Sequence, residues 1–373
     1  MISSFLIDIA KEDDGADVWS LTQIDEVLPC TSDKHDSNKS ISPGAKSWQA
    51  LHYSGEFEPH APAVVLKCRR SKPNELEVTI LASESFSHVE NANLLHVLPR
   101  VLAQFTFSNS DDKQSAKQPH NLVITSQDGA NTNNFSAVSL SSVEGIRELF
   151  EVEPSIEIVD MVDQMGQVLG MVPRSLVHLL NILHRGIGLT VSKDADFSEL
   201  YVHKRTSFKR IFPSLYDMFV GGVSSAEEDA KLTAAREVAE ELGLTRALDE
   251  TDCGALSGPL FTCVVCTASN RCVVTVFQYT VMDPNEESIS WQEEEVSWGE
   301  YVPYNIVEAA ADLSIQRLVA QQEWPGQFPA IQSKWEGTKP PEEYASGEWM
   351  TWDFVPDGLL VWEAWLNWRR QSQ

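Results

Sequence analysis

The chain has 373 residues, 42% hydrophobic and 22% charged, an ordinary balance for a soluble globular protein and enough length for about two domains. Its 28 lysines and arginines against 55 aspartates and glutamates leave a formal charge of −27. That excludes bulk nucleic-acid binding and adhesion to an anionic membrane surface, both of which need a basic face. It does not exclude a small anionic substrate, provided a metal ion or a local basic cluster offsets the field.

Residues 1–14 hold too short an apolar run for a signal-peptide core and too many acids for a transit peptide, and the expected location is the cytoplasm. No stretch approaches the roughly 18–20 apolar residues of a membrane span, so no membrane partner is expected. Polar stretches at 31–47 and 107–136 read as loops. Between them, 63–68 and 75–81 read as a pair of strands. Residues 89–105 read as a helix whose stripe is Leu94, Leu95, Val97, Leu98, Val101 and Leu102. Residues 1–150 are thus expected to form a small α+β domain. They carry no chemical motif, and a regulatory domain, a dimerisation element (hence a homodimer) and a lid are all open readings.

From about residue 154 the pattern changes. A hairpin is expected over 156–163 and 168–172, a helix over 176–183, and strands at 186–191, 199–202 and 216–220. A strongly helical stretch ends at Leu242. Strands follow at 260–267 and 273–281, then helices near 306–313 and 356–369. Interleaved elements without regular βαβ alternation imply a mixed sheet flanked by helices. Cys263, Cys266 and Cys272 lie in apolar, β-rich sequence with no second Cys-x-x-Cys and no paired histidine, which argues against zinc. Nine of the eleven tryptophans fall between Trp291 and Trp368. Trp362, Trp365, Leu366 and Leu359 share helical spacing and read as core. Trp335, Trp349 and Trp352 sit in irregular sequence, where they could stack on a base or cover a site.

The chemistry concentrates at 222–244. Asp229 reads as a helix N-cap and Gly243 as the stop. Ala235, Val238, Ala239 and Leu242 make the buried stripe. With Ala235 at 0°, Glu237, Glu240 and Glu241 fall at about 200°, 140° and 240°, on the face opposite the core. Like charges at that spacing repel, and their natural neutraliser is a hard divalent cation, Mg²⁺ or Mn²⁺. Taken alone, an acidic helix face is usually solvated surface. The full pattern changes that reading: Gly222, five residues, Glu228, seven residues, then Arg236-Glu237-Val238-x-Glu240-Glu241-x-Gly243-Leu244.

This pattern resembles the Nudix box. The resemblance implies a Nudix α/β/α sandwich over 151–373 in which Glu237, Glu240 and Glu241 bind divalent metal. It further implies that Gly222 lets the backbone approach the metal, that Arg236 orients the glutamates, and that Glu228 supports the loop. The implied reaction is attack by a metal-activated water on a small-molecule diphosphate joined to another moiety, X, with Glu237 and Glu241 central to it. A later glutamate commonly completes such sites. Glu293, Glu294 and Glu295 are the candidates, Glu295 first and Glu293 second.

The preceding segment resembles the isopentenyl-diphosphate isomerase branch of that superfamily, through His178, His184-Arg185-Gly186, Arg205-x-x-x-Lys209 and Phe212-Pro213-Ser214-Leu215-Tyr216. Ser214 stands where glycine is usual. The resemblance implies that Arg205 and Lys209 hold the diphosphate and that His184 supports the metal. Asp353-Phe354-Val355-Pro356-Asp357 likewise resembles the closing motif of bacterial hydrolases in this branch. Gly221 and Val223, however, occupy the positions of the cysteine and histidine that an isomerase needs, which favours a hydrolase over an isomerase. A non-catalytic binding module of the same fold is the alternative from a different class. Residues 184–210 hold six lysines and arginines against three acids, whereas 281–373 has five against 17, so the cations gather just ahead of the acidic helix.

Overall fold

The computed structural model describes residues 4–11, 17–24, 64–72, 75–82, 97–98, 100–102, 104, 120–126, 132–138, 142–163, 165–209, 211–245, 255–267, 270–281, 289–321, 323–324 and 344–372. Two compact units divide the chain. The first comprises Met1–His184, Ser225–Glu227 and Ala268–Arg271, and the second comprises Arg185–Ser224, Glu228–Thr267 and Cys272–Gln373. The expected boundary at 150/151 therefore differs from the one observed. Residues 151–184 fall in the first unit, and Ser225 and Ala226 join them through backbone contacts: Val159 bridges Ser225, and the Ala226 amide donates to the Ile158 carbonyl.

The first unit holds a six-stranded sheet in sequential order: β1 (Ser4–Lys11), β2 (Asp17–Ile24), β3 (Val64–Lys72), β4 (Glu75–Ala82), β5 (His120–Ser126) and β6 (Thr132–Val138). β4 and β5 run parallel, and the other neighbours are antiparallel. The expected strands at 63–68 and 75–81 are β3 and β4. The loop expected over 107–136 is instead partly sheet, since β5 and most of β6 lie within it. Leu122-Val123-Ile124 is the only run of consecutive apolar residues there, and pairing with neighbouring strands overrides the polar composition. The loop expected at 31–47 lies outside the described residues. Within the helix expected over 89–105, Leu98, Val101 and Leu102 are helical and buried. α1 (Val143–Phe150) starts on the Ser142 side chain, which accepts from the Gly145 amide. The hairpin β7 (Ile158–Val162) and β8 (Val168–Pro173) follows, then the short helix α2 (Arg174–Leu179).

The second unit runs through β9 (His184–Ser192) from Arg185 on, β10 (Glu199–Arg205), β11 (Tyr216–Asp217), β12 (Val220–Val223), α3 (Ala230–Leu242), β13 (Leu256–Cys266), β14 (Arg271–Thr280) from Cys272 on, β15 (Val296–Pro303), α4 (Tyr304–Gln321) and α5 (Pro356–Ser372). Its sheet order is β11-β10-β9-β14-β13, with β12 also on β9 and β15 also on β10. This is an α/β arrangement with a mixed sheet. Alternation along β10 separates two cores. Leu200 and Val202 pack with Ile306, Ile315, Trp362 and Trp365 of α4 and α5. Tyr201 points the other way, packing with Ala234, Ala235, Val238 and Leu242 of α3. The sheet thus lies between α3 on one face and α4 with α5 on the other.

Trp362 and Trp365 are core as expected, stacked with centroids 4.8 Å apart. Trp349 and Trp352 are core too, buried with Phe354, and so neither is an exposed lid or stacking platform. Trp335 lies outside the described residues. Burial pushes the Cys263 thiol up to about 12 and raises Cys272 as well, which makes both inert packing groups. Among the described residues no helix is long and apolar enough to cross a membrane.

Candidate functional site

The loop and helix at 222–244 form as the spacing predicts. The Asp229 side chain accepts from the Lys231 amide at 2.8 Å, and Gly243 closes α3 in the left-handed region at φ 70°. The acidic face is less uniform than expected. Only Glu240 faces solvent, whereas Glu237 is buried and Glu241 half-buried. The difference originates in β12. Gly222 lies beneath α3, and the Glu237 carboxylate occupies the space where a Cβ at 222 would sit. Two carboxylates one turn apart are therefore turned toward the sheet.

Arg236 binds this arrangement together. Its Nε and Nη2 donate to the two oxygens of Glu228 at 3.1 and 3.2 Å, and its Nη1 donates to Glu237 at 2.8 Å and Glu240 at 3.0 Å. Thr233 Oγ1 donates to Glu228 as well, at 2.9 Å, and Arg185 Nη2 donates to the Glu228 carbonyl at 3.3 Å. Burial opposes the Arg236 charge, but the Glu228 hydrogen bonds and the three surrounding carboxylates hold it protonated well above the usual range. Glu241 shifts as well. Burial, with Glu237 nearby, pushes its carboxyl far above the ordinary range, and Lys209 and Arg205 partly offset this.

The two cations from the preceding segment take different positions. Lys209 is half-buried and ion-paired with Glu295. The Arg205 guanidinium braces its own loop, with Nε donating to the Phe212 carbonyl at 3.2 Å and Nη2 to the Ile211 carbonyl at 3.1 Å. The turn at 293–295 is fastened to this loop, because the Thr206 amide donates to the Glu295 carbonyl at 3.0 Å and Thr206 Oγ1 to the Glu294 carbonyl at 2.9 Å. Glu293 and Glu294 point into solvent and Glu295 does not. Ser214 adopts φ 63°, which explains why glycine suits that position.

His184 is placed in the first unit. It is buried, its Nδ1 lies 3.0 Å from the Ile182 carbonyl, and its ring packs edge-on to His178 at 6.0 Å. Burial lowers its pKa to about 4, so it is a neutral imidazole.

Three further residues escaped the sequence reading, two of them, Tyr201 and Asp217, within electrostatic reach of Glu241. Tyr201 and His203 share the α3 face of β10, and Asp217 stands opposite His203 on β11. Burial raises Asp217 to about 7 and lowers His203 to about 3. The signal that could have found them was the strand register, which no local motif reveals. Among the described residues, no three His, Cys, Asp or Glu side chains converge closely enough to enclose a metal ion. The donor chemistry nevertheless fits a hard divalent cation: Glu237, Glu240 and Glu241 offer carboxylate oxygens from one helix, and Glu237 is close enough to raise the cost of ionising Glu241.

Comparison with known proteins adds the family. The NUDIX domain model matches residues 183–322. Residues 183–322 are a Nudix domain. An uncharacterized Nudix hydrolase of Rhodococcus erythropolis, orf19, is 37% identical over 100 residues, 27% of this chain and 54% of its own. YfcD of Escherichia coli strain K12, also an uncharacterized Nudix hydrolase, is 29% identical over 119 residues, 30% of this chain and 64% of its own. The chain thus spans about half to two thirds of the length of these curated relatives. The crystal structure of DR0079 from Deinococcus radiodurans is similar over 44% of this chain and 90% of its own, at 21% identity and a TM-score of 0.32. The Nudix match begins one residue before β9 and so leaves the β7–β8 hairpin outside it.

Proposed function

We propose that this chain hydrolyses the diphosphate linkage of a nucleoside diphosphate-X or a related organic diphosphate with the help of Mg²⁺ or Mn²⁺. The observation that carries the reading is the pair Glu237 and Glu241, held together on the sheet side of α3 inside the Nudix domain, with Gly222 leaving the space. Glu237, Glu241 and the outer Glu240 would hold the cation, with the Gly222 backbone beside them. Bound there, it would neutralise phosphoryl oxygens and lower the pKa of a water molecule. Arg236 orients Glu237, and Glu228 fixes Arg236 through two hydrogen bonds. Lys209 would receive a substrate phosphate by exchanging its Glu295 partner for it, and Glu295 is then the glutamate that completes the site. Arg205 shapes the loop that presents Lys209 and adds long-range positive charge.

The likeness to the isopentenyl-diphosphate isomerase branch rests on the residues around Arg205, Lys209 and Phe354, and it favours organic diphosphates as substrates. A hydrolase is the better reading of β12. A Cβ at Gly221 would lie 2.8 Å from the Ile187 carbonyl, so a catalytic cysteine does not fit there without backbone movement. His184, enclosed with its own carbonyl partner, would act only as structural support.

The test is a panel of nucleoside diphosphate-X compounds and prenyl diphosphates with Mg²⁺ or Mn²⁺, comparing the wild type with Glu241→Gln. Turnover lost in the variant, with its fold intact, supports the reading. A wild type inert across the panel favours a binding module, and double-bond migration without release of phosphate favours an isomerase.

A further inference from the structure

Tyr201 is 3% exposed and packs among the α3 side chains Ala234, Ala235, Val238 and Leu242, yet its hydroxyl has no hydrogen-bond partner among the described residues. A buried hydroxyl without a partner carries a desolvation cost that phenylalanine would avoid. The space for that hydroxyl is also specially provided. Tyr201 pairs with Tyr301 on β15, but its ring leans two residues along the strand to Gly299, the partner of His203. There a Cβ would overlap the hydroxyl and lie 3.0 Å from the ring carbon Cε2. Glycine in the interior of a strand is itself destabilising relative to alanine. Two local costs therefore meet at one phenolic oxygen.

The surroundings of the oxygen indicate what it acts on. His203 lies beside the Tyr201 ring, nearly parallel at 6.2 Å between centroids, and its Nδ1 also has no hydrogen-bond partner among the described residues. Burial, then Tyr301, then Glu241 raise the Tyr201 phenol far above its usual range, so it stays protonated, a donor, and lies within electrostatic reach of the Glu241 carboxylate.

We infer that Tyr201 is a positioning residue for Glu241: its hydroxyl, held in the gap over Gly299, donates to the Glu241 carboxylate in the working site and fixes its orientation toward the cation. The inference rests on the proposed hydrolase reading. A donor of this kind raises neither the charge nor the number of ligands. It restricts the rotamers of a ligand, and such outer partners typically contribute about 10–100-fold in metal affinity.

The experiment is a Mn²⁺ titration of the substrate-free full chain by calorimetry, with thermal unfolding recorded without metal, on Tyr201→Phe, Gly299→Ala and the double variant. Mn²⁺ binding should weaken about tenfold in Tyr201→Phe, while its metal-free unfolding temperature stays level or rises. Gly299→Ala should weaken Mn²⁺ binding similarly by displacing the hydroxyl, and the double variant should be no weaker than Tyr201→Phe alone. Turnover of a panel substrate should fall through kcat, with KM within about twofold. Tyr201→Phe binding Mn²⁺ like the wild type would overturn the inference and leave the hydrolase reading standing. Additive losses in the double variant would also overturn it. A wild type that neither binds Mn²⁺ nor turns over any panel compound overturns both. Should Tyr201→Phe not fold, Gly299→Ala decides alone: unchanged Mn²⁺ affinity rejects the inference and a tenfold loss sustains it.

Discussion

The Glu237 carboxylate fills the volume that a side chain at residue 222 would need: Oε1 overlaps the position of a Cβ there, and Oε2 would lie 2.6 Å from it. The strand and the helix of the site are thus fitted to each other at one atom. Gly222→Ala should displace Glu237 and separate it from Arg236. Activity on a panel substrate should drop at least about 100-fold, comparable to losing a catalytic hydrogen-bond group. The fold should survive, because β12 keeps its backbone pairing to β9, and circular dichroism beside the activity assay checks both expectations.

Arg236 is the next dependence. Its fork serves both oxygens of Glu228 while its other nitrogen serves Glu237 and Glu240. Lysine cannot reproduce that geometry. Arg236→Ala should strip the guanidinium from two largely enclosed carboxylates and lower unfolding stability by about 2–4 kcal/mol, less than for a fully buried pair because the side chain is partly open to solvent. Arg236→Lys should recover less than half of that in denaturant titrations.

These two relationships also show how far the sequence was legible. Helix α3, its Asp229 cap and its Gly243 stop were readable because local spacing encodes them. So was the apolar stripe beneath it. The inward turn of Glu237 was not, since it depends on a bare Cα in a strand 15 residues earlier. β15 was missed because Trp298-Gly299-Glu300 breaks the apolar alternation that marks a strand, and the missing side chain is explained only by Tyr201 across the ladder. Trp349 and Trp352 looked like loop residues because their irregular backbone hides the core they fill. Asp217 and His203 face each other through cross-strand register, which is long-range information.

Ser214 offers a stability test. Its φ of 63° is a left-handed conformation that side chains adopt at a cost. Ser214→Gly should relieve it and raise unfolding stability by about 0.5–1 kcal/mol, the relief outweighing the extra freedom of the unfolded chain. Chemical denaturation of both forms checks the sign. Because the loop also presents Lys209, activity should stay within about twofold if the residue serves conformation alone.

Asp312 on α4 makes stability depend on pH. It is 1% exposed, and neither carboxylate oxygen has a hydrogen-bond partner among the described residues. Burial, with Glu308 adding to it and Arg370 opposing, raises its pKa to about 7 from an ordinary 3.8. Between those values the folded chain holds a proton that the unfolded chain has lost. Stability from this group is therefore full below pH 3.8 and falls as pH rises toward 7, by up to roughly 1.4 kcal/mol per pH unit. Asp312→Asn keeps the shape without the charge. It should flatten the stability profile between pH 5 and 7 and be the more stable form at pH 8. A wild-type profile that rises across that interval while the variant's does not would contradict the assignment.

Lys209 and Glu295 give the sharpest functional contrast, because their ion pair joins the cationic loop to the turn at 293–295. If substrate phosphate replaces Glu295 as the partner of Lys209, the two residues should fail differently. Lys209→Gln should raise KM about tenfold or more, with a smaller effect on kcat, since it removes charge that binds ground state and transition state alike. Glu295→Gln should remove the Glu295 charge from Lys209 and hold or lower KM, while kcat falls because the completing glutamate is gone. Raising the ionic strength should raise KM for the wild type and for Glu295→Gln, and have less effect on Lys209→Gln, because screening acts on the charge that this variant lacks. Equal KM changes in the two variants would instead mark the pair as a structural clasp between loop and turn, with phosphate recognition assigned elsewhere in the site.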